Sequence, residues 1–230
     1  MERKIIILLI SFGIGALAVL VISLVVHNYN YSVKVQKIEF KNKTANFYLS
    51  DKKILLGFDF LQTLPSDAVI VSWWDHGAMI EAIGKRKAII KGPYEKLVIS
   101  KGIGTKGLKG YSFFKYESPE KIVDTANLFL SSDEQKAIMI MKKYNANYIL
   151  VVYPEDFQHK FWSIPDALNE DPNLYVTDYM KTPPEEINFE QITTLGKQAL
   201  IIKLLFDNKL PVEKFTKIFD NGKVKIYSIK

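Results

Sequence analysis

The stretch VIVSWWDHGAMIEAIGKR, residues 69–86, sets two adjacent tryptophans, an aspartate and a histidine between a strand-like run and a helix-like one. An indole N–H only donates a hydrogen bond and a carboxylate only accepts one, so a pocket holding Trp73, Trp74 and Asp75 suits a hydroxyl group, which does both. Aromatic walls lower the local dielectric and strengthen such bonds. The same residues have a plainer use, with the tryptophans filling a core and Asp75 capping the helix that follows. The pattern leaves both open. Other chemistry is thinly represented. The chain has no cysteine, which excludes disulfides and thiolate sites. Its three histidines, His27, His76 and His159, are far apart and form no metal-binding spacing, so no metal site is expected. No nucleophile–base pair or pair of catalytic carboxylates stands out, and no catalytic residue is assigned. A Gly-x-Gly-x-x-Gly run at 102–107 follows a strand-like segment, but Gly110, Ser112 and Pro119 interrupt the helix that a dinucleotide site requires, so a basic loop is expected instead.

The elements that must position these residues alternate between apolar strands and helices. A helix is expected over 53–64, ended by Pro65-Ser66-Asp67, then a buried strand over 68–72 and a helix over 78–83 stopped by Gly84. Short strands are expected at 88–90 and 97–100. Ser131-Ser-Asp-Glu134 has the form of a capping box opening a helix through Tyr144, which leads into the strongly apolar strand 148–153. A helix near 194–206 and a hairpin over 215–229, with Asp220-Asn-Gly222 as a type I′ turn, complete the pattern. The fold class is therefore layered α/β, with a short, mostly parallel sheet and a C-terminal β-hairpin. Because the strand over 68–72 ends at the tryptophans, the candidate pocket falls at a strand's carboxyl end, where α/β sheets bind ligands.

Residues 5–26 carry no charge, and about 33 Å of helix at 1.5 Å per residue spans a bilayer core. A secretory signal would have a shorter apolar stretch and a cleavage site, and none follows Val26, so an uncleaved single transmembrane helix is expected. The organisation is then a short tail over 1–4, the span over 5–26, a polar juxtamembrane linker over 27–50 and a soluble α/β domain over 51–230. Lys34, Lys37, Lys41 and Lys43 after the span favour an inside location, whereas Arg3 and Lys4 on a very short tail favour an outside one. The expectation adopted is a single-pass membrane protein with an extracytoplasmic domain. The net charge of +6, mostly lysine, fits a solvated surface or attraction to anionic membrane lipid. Nucleic acid is not expected, because the lysines are dispersed and no binding module is present. Asn30 and Asn42 each begin an Asn-x-Ser/Thr triplet, about as many as chance supplies.

Ser72-Trp73-Trp74-Asp75-His76-Gly77 resembles the WWDYG signature of the oligosaccharyltransferase catalytic subunit, which performs protein N-glycosylation. The similarity extends through Leu64-Pro-Ser-Asp-Ala-Val-Ile70 and Ile80-Glu-Ala-Ile-Gly-Lys-Arg86, then Ser131-Ser-Asp-Glu134, Tyr144-Asn-Ala-Asn-Tyr-Ile-Leu-Val151 and Gly222-Lys-Val-Lys-Ile-Tyr227. It covers most of 55–230, in family order, and corresponds to that enzyme's soluble C-terminal domain. The family's second element, Asp-x-x-Lys-x-x-x-Met/Ile, corresponds to the segment of Asp156, Lys160 and Ile164, with Asp156 one residue too far upstream. His76 stands where the family has tyrosine. Lys160 and Ile164 are four apart, so on a helix they would share a face and line the peptide pocket together.

The resemblance implies that Trp73, Trp74 and Asp75 bind the Ser/Thr hydroxyl two residues beyond an acceptor asparagine, and that Ile164 touches a threonine methyl. His76 and Asp156 would modulate the pocket, His76 by gaining a proton in mild acid. In the family, catalysis takes place in a multi-span membrane domain where carboxylates hold a divalent metal, so neither metal nor cofactor is expected in this chain. Two functions follow. One is a membrane-anchored module that binds acceptor peptides or proteins, not catalytic alone, acting as an accessory or split subunit beside a multi-span oligosaccharyltransferase or glycosyltransferase partner. The other is a paralogue with a structural or interaction role that has lost recognition of the triplet.

Overall fold

The computed structural model describes residues 35–40, 43–48, 51–91, 100–101, 111–112 and 119–230. The chain divides into two compact units, Met1–Asp51 and Lys52–Lys230. The expected membrane span over 5–26 lies outside the described residues, and among those described no helix is long and apolar enough to cross a membrane. In the first unit, β1 (Val35–Phe40) and β2 (Lys43–Tyr48) pair antiparallel, with Val35 opposite Tyr48 and Phe40 opposite Lys43. The stretch expected as a linker thus contains a hairpin, consistent with strand-forming Val, Ile, Phe, Thr and Tyr in VQKIEF and KTANFY.

In the second unit, α1 (Lys52–Phe60) tightens into a 3-10 turn at Leu61–Thr63 before β3 (Val69–Val71). A second 3-10 turn, Trp74–His76, leads into α2 (Gly77–Ala82) and then β4 (Lys87–Ala88). The short strands β5 (Ser100–Lys101) and β6 (Tyr111–Ser112) pair antiparallel, and the glycine run expected as a basic loop lies outside the described residues. There follow α3 (Pro119–Leu130), α4 (Glu134–Lys143), β7 (Tyr148–Val152), a π-helical turn at Glu155–His159 and α5 (Ser163–Asp166). The chain then continues through α6 (Thr194–Gln198) and α7 (Leu200–Leu205) to the hairpin of β8 (Phe215–Asp220) and β9 (Val224–Ile229).

The sheet has the order β4-β3-β7-β9-β8. The strands β4, β3 and β7 are parallel, and the hairpin joins antiparallel through β9. The uninterrupted apolar sequences of β3 and β7 follow from burial on both faces. Val69, Val71, Ile149 and Val151 face a core shared with Ile122, Phe129 and Met141 and with α7. Ile70, Leu150 and Val152 face the opposite core, with Phe58, Leu61 and Ile80. The period-2 alternation of a strand therefore sorts neighbours into two cores, and the domain is a three-layer α/β/α sandwich.

Three local expectations are corrected. The N-cap of α4 is Asp133, whose carboxylate accepts from Gln135 N–H at 2.8 Å, while Ser131 Oγ accepts from Asp133 N–H at 3.1 Å. Glu134 is then too early in the helix for a capping box and instead accepts from Glu213 N–H and Lys214 N–H at 3.1 and 2.7 Å. The helix near 194–206 breaks at Ala199, which is extended (ψ 131°), and Leu200 N–H donates to Ser131 C=O at 3.0 Å. In the hairpin only Gly222 has positive φ, at 83°, so the turn lacks the two consecutive left-handed residues of type I′. Asn221 Oδ1 holds it by accepting from the N–H groups of Lys223 and Val224.

Candidate functional site

From β3 the chain passes through α2 to β4 on one side, while β7 lies on the other. The connections diverge between β3 and β7, and in an open α/β sheet such a divergence leaves a crevice beyond the carboxyl ends of the strands. Ser72 to His76 leave β3 there, and the segment from Asp156 to Ile164 leaves β7 at the same edge. A close approach of backbones holds the first segment down. A Cβ on Gly77 would lie 1.8 Å from the Ile90 carbonyl oxygen, so only glycine fits.

Three links join the two segments. Trp73, with 0% exposure, donates from Nε1 to Ser163 Oγ at 2.7 Å, and that hydroxyl donates to Lys160 C=O at 2.6 Å. Lys160 Nζ lies 3.3 Å from Asp75 Oδ2 and 5.7 Å from the centre of the Trp74 ring. His76 Nε2 meets Asp156 Oδ1 at 2.7 Å, with both residues buried, and Asp156 Oδ2 accepts from Val152 N–H at 2.7 Å. The Phe58 ring of α1 packs near the imidazole, 6.0 Å between centroids.

The electrostatics follow from burial. Asp75 Oδ1 is buried and has no hydrogen-bond partner among the described residues. Burial raises the Asp75 pKa, against the opposing pull of His76 and Lys160. Burial would depress His76, but the attraction and hydrogen bond of Asp156, with smaller contributions from Asp75 and Glu155, outweigh it and leave the pKa raised. His76 therefore holds its proton to a higher pH than an ordinary histidine does.

The sequence-derived residues separate into two groups. Trp74, Asp75 and Lys160 form a corner at the crevice, with the Lys160 side chain 39% exposed and Asp75 14%. Trp73 and Ile164, both 0% exposed, belong to the core beneath it. Lys160 and Ile164 do not share an exposed face, because the π-helical turn ends at His159 and α5 begins only at Ser163. Asp75 caps no helix: neither the 3-10 turn nor α2 has a side-chain cap. Sequence reasoning missed Ser163 as the bridge from Trp73 to Lys160. It also treated His76 and Asp156 as separate departures from a family pattern, although they are one pair. The available signal was that a buried histidine and a buried aspartate each need a partner. Among the described residues no three His, Asp or Glu side chains are grouped so as to hold a metal ion.

No protein-family model matches the chain. The dolichyl-diphosphooligosaccharide–protein glycosyltransferase subunit STT3B of Oryza sativa subsp. japonica is 31% identical over 93 residues, 40% of this chain and 10% of that protein. The match therefore spans about a tenth of that relative's length. Among solved structures, the C-terminal globular domain of an oligosaccharyltransferase from Archaeoglobus fulgidus superimposes with a TM-score of 0.51 at 17% identity, covering 79% of this chain and 99% of that one. A second structure of an oligosaccharyltransferase C-terminal globular domain from that organism gives 0.46 at 18% identity, covering 78% and 96%. The described α/β unit has the fold of the first of these domains.

Proposed function

We propose that residues 51–230 are a binding module for acceptor peptides of the Asn-x-Ser/Thr type in protein N-glycosylation. Residues 5–26 would anchor it as a single-pass protein, with the domain on the extracytoplasmic side. The fold likeness, the local identity to a glycosyltransferase subunit and the ordered motifs support this reading. The observation that carries it is the corner itself, where a buried carboxylate oxygen without a hydrogen-bond partner among the described residues sits beside an ammonium and an indole face. An acceptor hydroxyl that donates to Asp75 Oδ1 would satisfy that atom once the corner opens to admit it, since the oxygen is buried without peptide, and the Lys160 ammonium can donate to the hydroxyl oxygen in return. Trp74 supplies the wall, and Trp73 and Ser163 fix the Lys160 segment from below. Contact between Ile164 and a threonine methyl requires the 160–164 segment to open, because Ile164 is fully buried without peptide.

The module does not transfer glycan alone on this reading. Activating an amide nitrogen takes carboxylates and a metal at the acceptor asparagine, and a hydroxyl pocket two residues away supplies neither. A multi-span oligosaccharyltransferase or glycosyltransferase subunit would be the catalytic partner and would hold any divalent metal, with membrane lipid beside the anchor. The full chain should bind an Asn-x-Thr peptide more tightly than the matching Asn-x-Ala peptide, and Trp74→Ala should remove the difference in a calorimetric or fluorescence titration. Affinity is expected to be weak, since one hydroxyl and one methyl offset little of the cost of ordering a peptide. The burial of Trp73 and Ile164 favours a second reading, a paralogue that keeps the fold for a structural or interaction role. Equal affinity for both peptides would leave that one.

A further inference from the structure

We infer that His76 and Asp156 act as a positioning pair that holds Asp75 and Lys160 in register and so sets selectivity for a hydroxyl-bearing acceptor. This rests on the peptide-binding reading above. His76 immediately follows Asp75, and Asp156 precedes Lys160 by four residues on the segment leaving β7. The link of 2.7 Å between them is a buried tie between the two segments that form the corner. Asp156 is itself fixed, because its second oxygen accepts from Val152 N–H at the end of β7. The pair thus refers the position of Asp75 to the sheet. A rotation of the Asp75 segment would separate a buried imidazole from a buried carboxylate, and each is costly to leave alone.

Three carboxylates bear on His76: Asp75 from its own segment, and Asp156 and Glu155 from the π-helical turn. The Phe58 ring from α1 adds no charge. Burial lowers the imidazole's pKa and the three carboxylates outweigh it, so the folded value stands above the ordinary 6.5. The tie accordingly stays charged to a higher pH than an ordinary histidine would allow. It loses its charge as pH rises through the folded pKa, when a neutral Nε2–H bond replaces a charge-assisted one.

The test uses the full chain in detergent, titrated with Asn-x-Thr and Asn-x-Ala peptides over a pH series that starts below the ordinary histidine value of 6.5 and rises until the His76 imidazole NMR signal shows the neutral form. The expected result for the wild type is a Thr-over-Ala preference that is flat at the acid end and falls about fivefold as His76 deprotonates. Asp156→Asn and His76→Phe should both have the lowered preference at every pH, with no titration. A wild-type pH profile retained in either folded variant overturns the inference. Should the variants not fold, imidazole and indole NMR of the wild type replaces them. The Trp74 indole resonance is then expected to shift with the His76 midpoint, and an indole that stays fixed while His76 titrates overturns the positioning role. Absence of any Thr preference in the wild type sinks the peptide-binding reading instead, and the indole shift still decides whether the pair controls the corner.

Discussion

At Asp75 the fold buries one carboxylate oxygen without a partner among the described residues, and burial raises the pKa despite His76 and Lys160. A carboxyl whose folded pKa is raised gains stability from protonation fully below its ordinary 3.8, and loses that gain as pH rises through the folded value. Ionised Asp75 therefore costs stability at neutral pH, as binding sites often do. Asp75→Asn is expected to raise stability by about 1 kcal/mol, or roughly 2–4 °C in thermal midpoint, while weakening the Thr-over-Ala preference. Loss of both stability and preference in a melting experiment would mean that the Lys160 ion pair outweighs the desolvation. Trp73 stands at the opposite extreme. Its ring is sealed in the core and its N–H is satisfied by Ser163, so Trp73→Phe should cost about 2 kcal/mol in chemical denaturation, from the lost bond and the void it leaves.

Two elements meet the crevice as rigid turns, and each has a backbone reason. The passage from β3 into α2 runs against the backbone after β4, with Gly77 facing Ile90 C=O. Alanine at the start of a helix would ordinarily stabilise by about 0.5–1 kcal/mol, yet Gly77→Ala should destabilise by about 3 kcal/mol. Backbone on both sides of the clash leaves little room for relief. A melting midpoint equal to or above wild type would contradict that packing. The segment after β7 is the less regular one. Its π-helical turn aims Asp156 inward at His76 and leaves Lys160 at the surface, a division that a continuous helix over 156–164 would not make.

Across the whole domain, the carboxyl ends of β3 and β7 are neighbours because the chain builds β4 on one side of β3 and β7 on the other. The site is therefore supported by the sheet and both cores, while the hairpin β8–β9 closes the antiparallel side. Glu134 is the long-range tie to that hairpin. Its buried carboxylate accepts from Glu213 and Lys214 N–H groups and lies 3.7 Å from Lys203 Nζ, linking the start of α4 to the entry of β8. Glu134→Ala should cost about 2 kcal/mol through two orphaned N–H groups, and amide exchange at the entry to β8 should accelerate. Unchanged exchange there would show that water replaces the carboxylate without loss.

The amino-acid pattern alone determined the layered α/β class, the central strands and the location of the tryptophan motif at a strand's carboxyl end. Each of these rests on local periodicity, on the apolar runs 69–71 and 148–152, and on breakers such as Pro65 and Gly84. The motif's resemblance to a glycosyltransferase family likewise lies in consecutive residues. Tertiary structure decided which of those residues face outward. It sent Trp73 and Ile164 into the core, joined His76 to Asp156 across 80 positions, and set Lys160 over Trp74 against Asp75. Burial and pairing between segments depend on how two strand ends come together, a property of the assembled sheet that no local run of residues encodes.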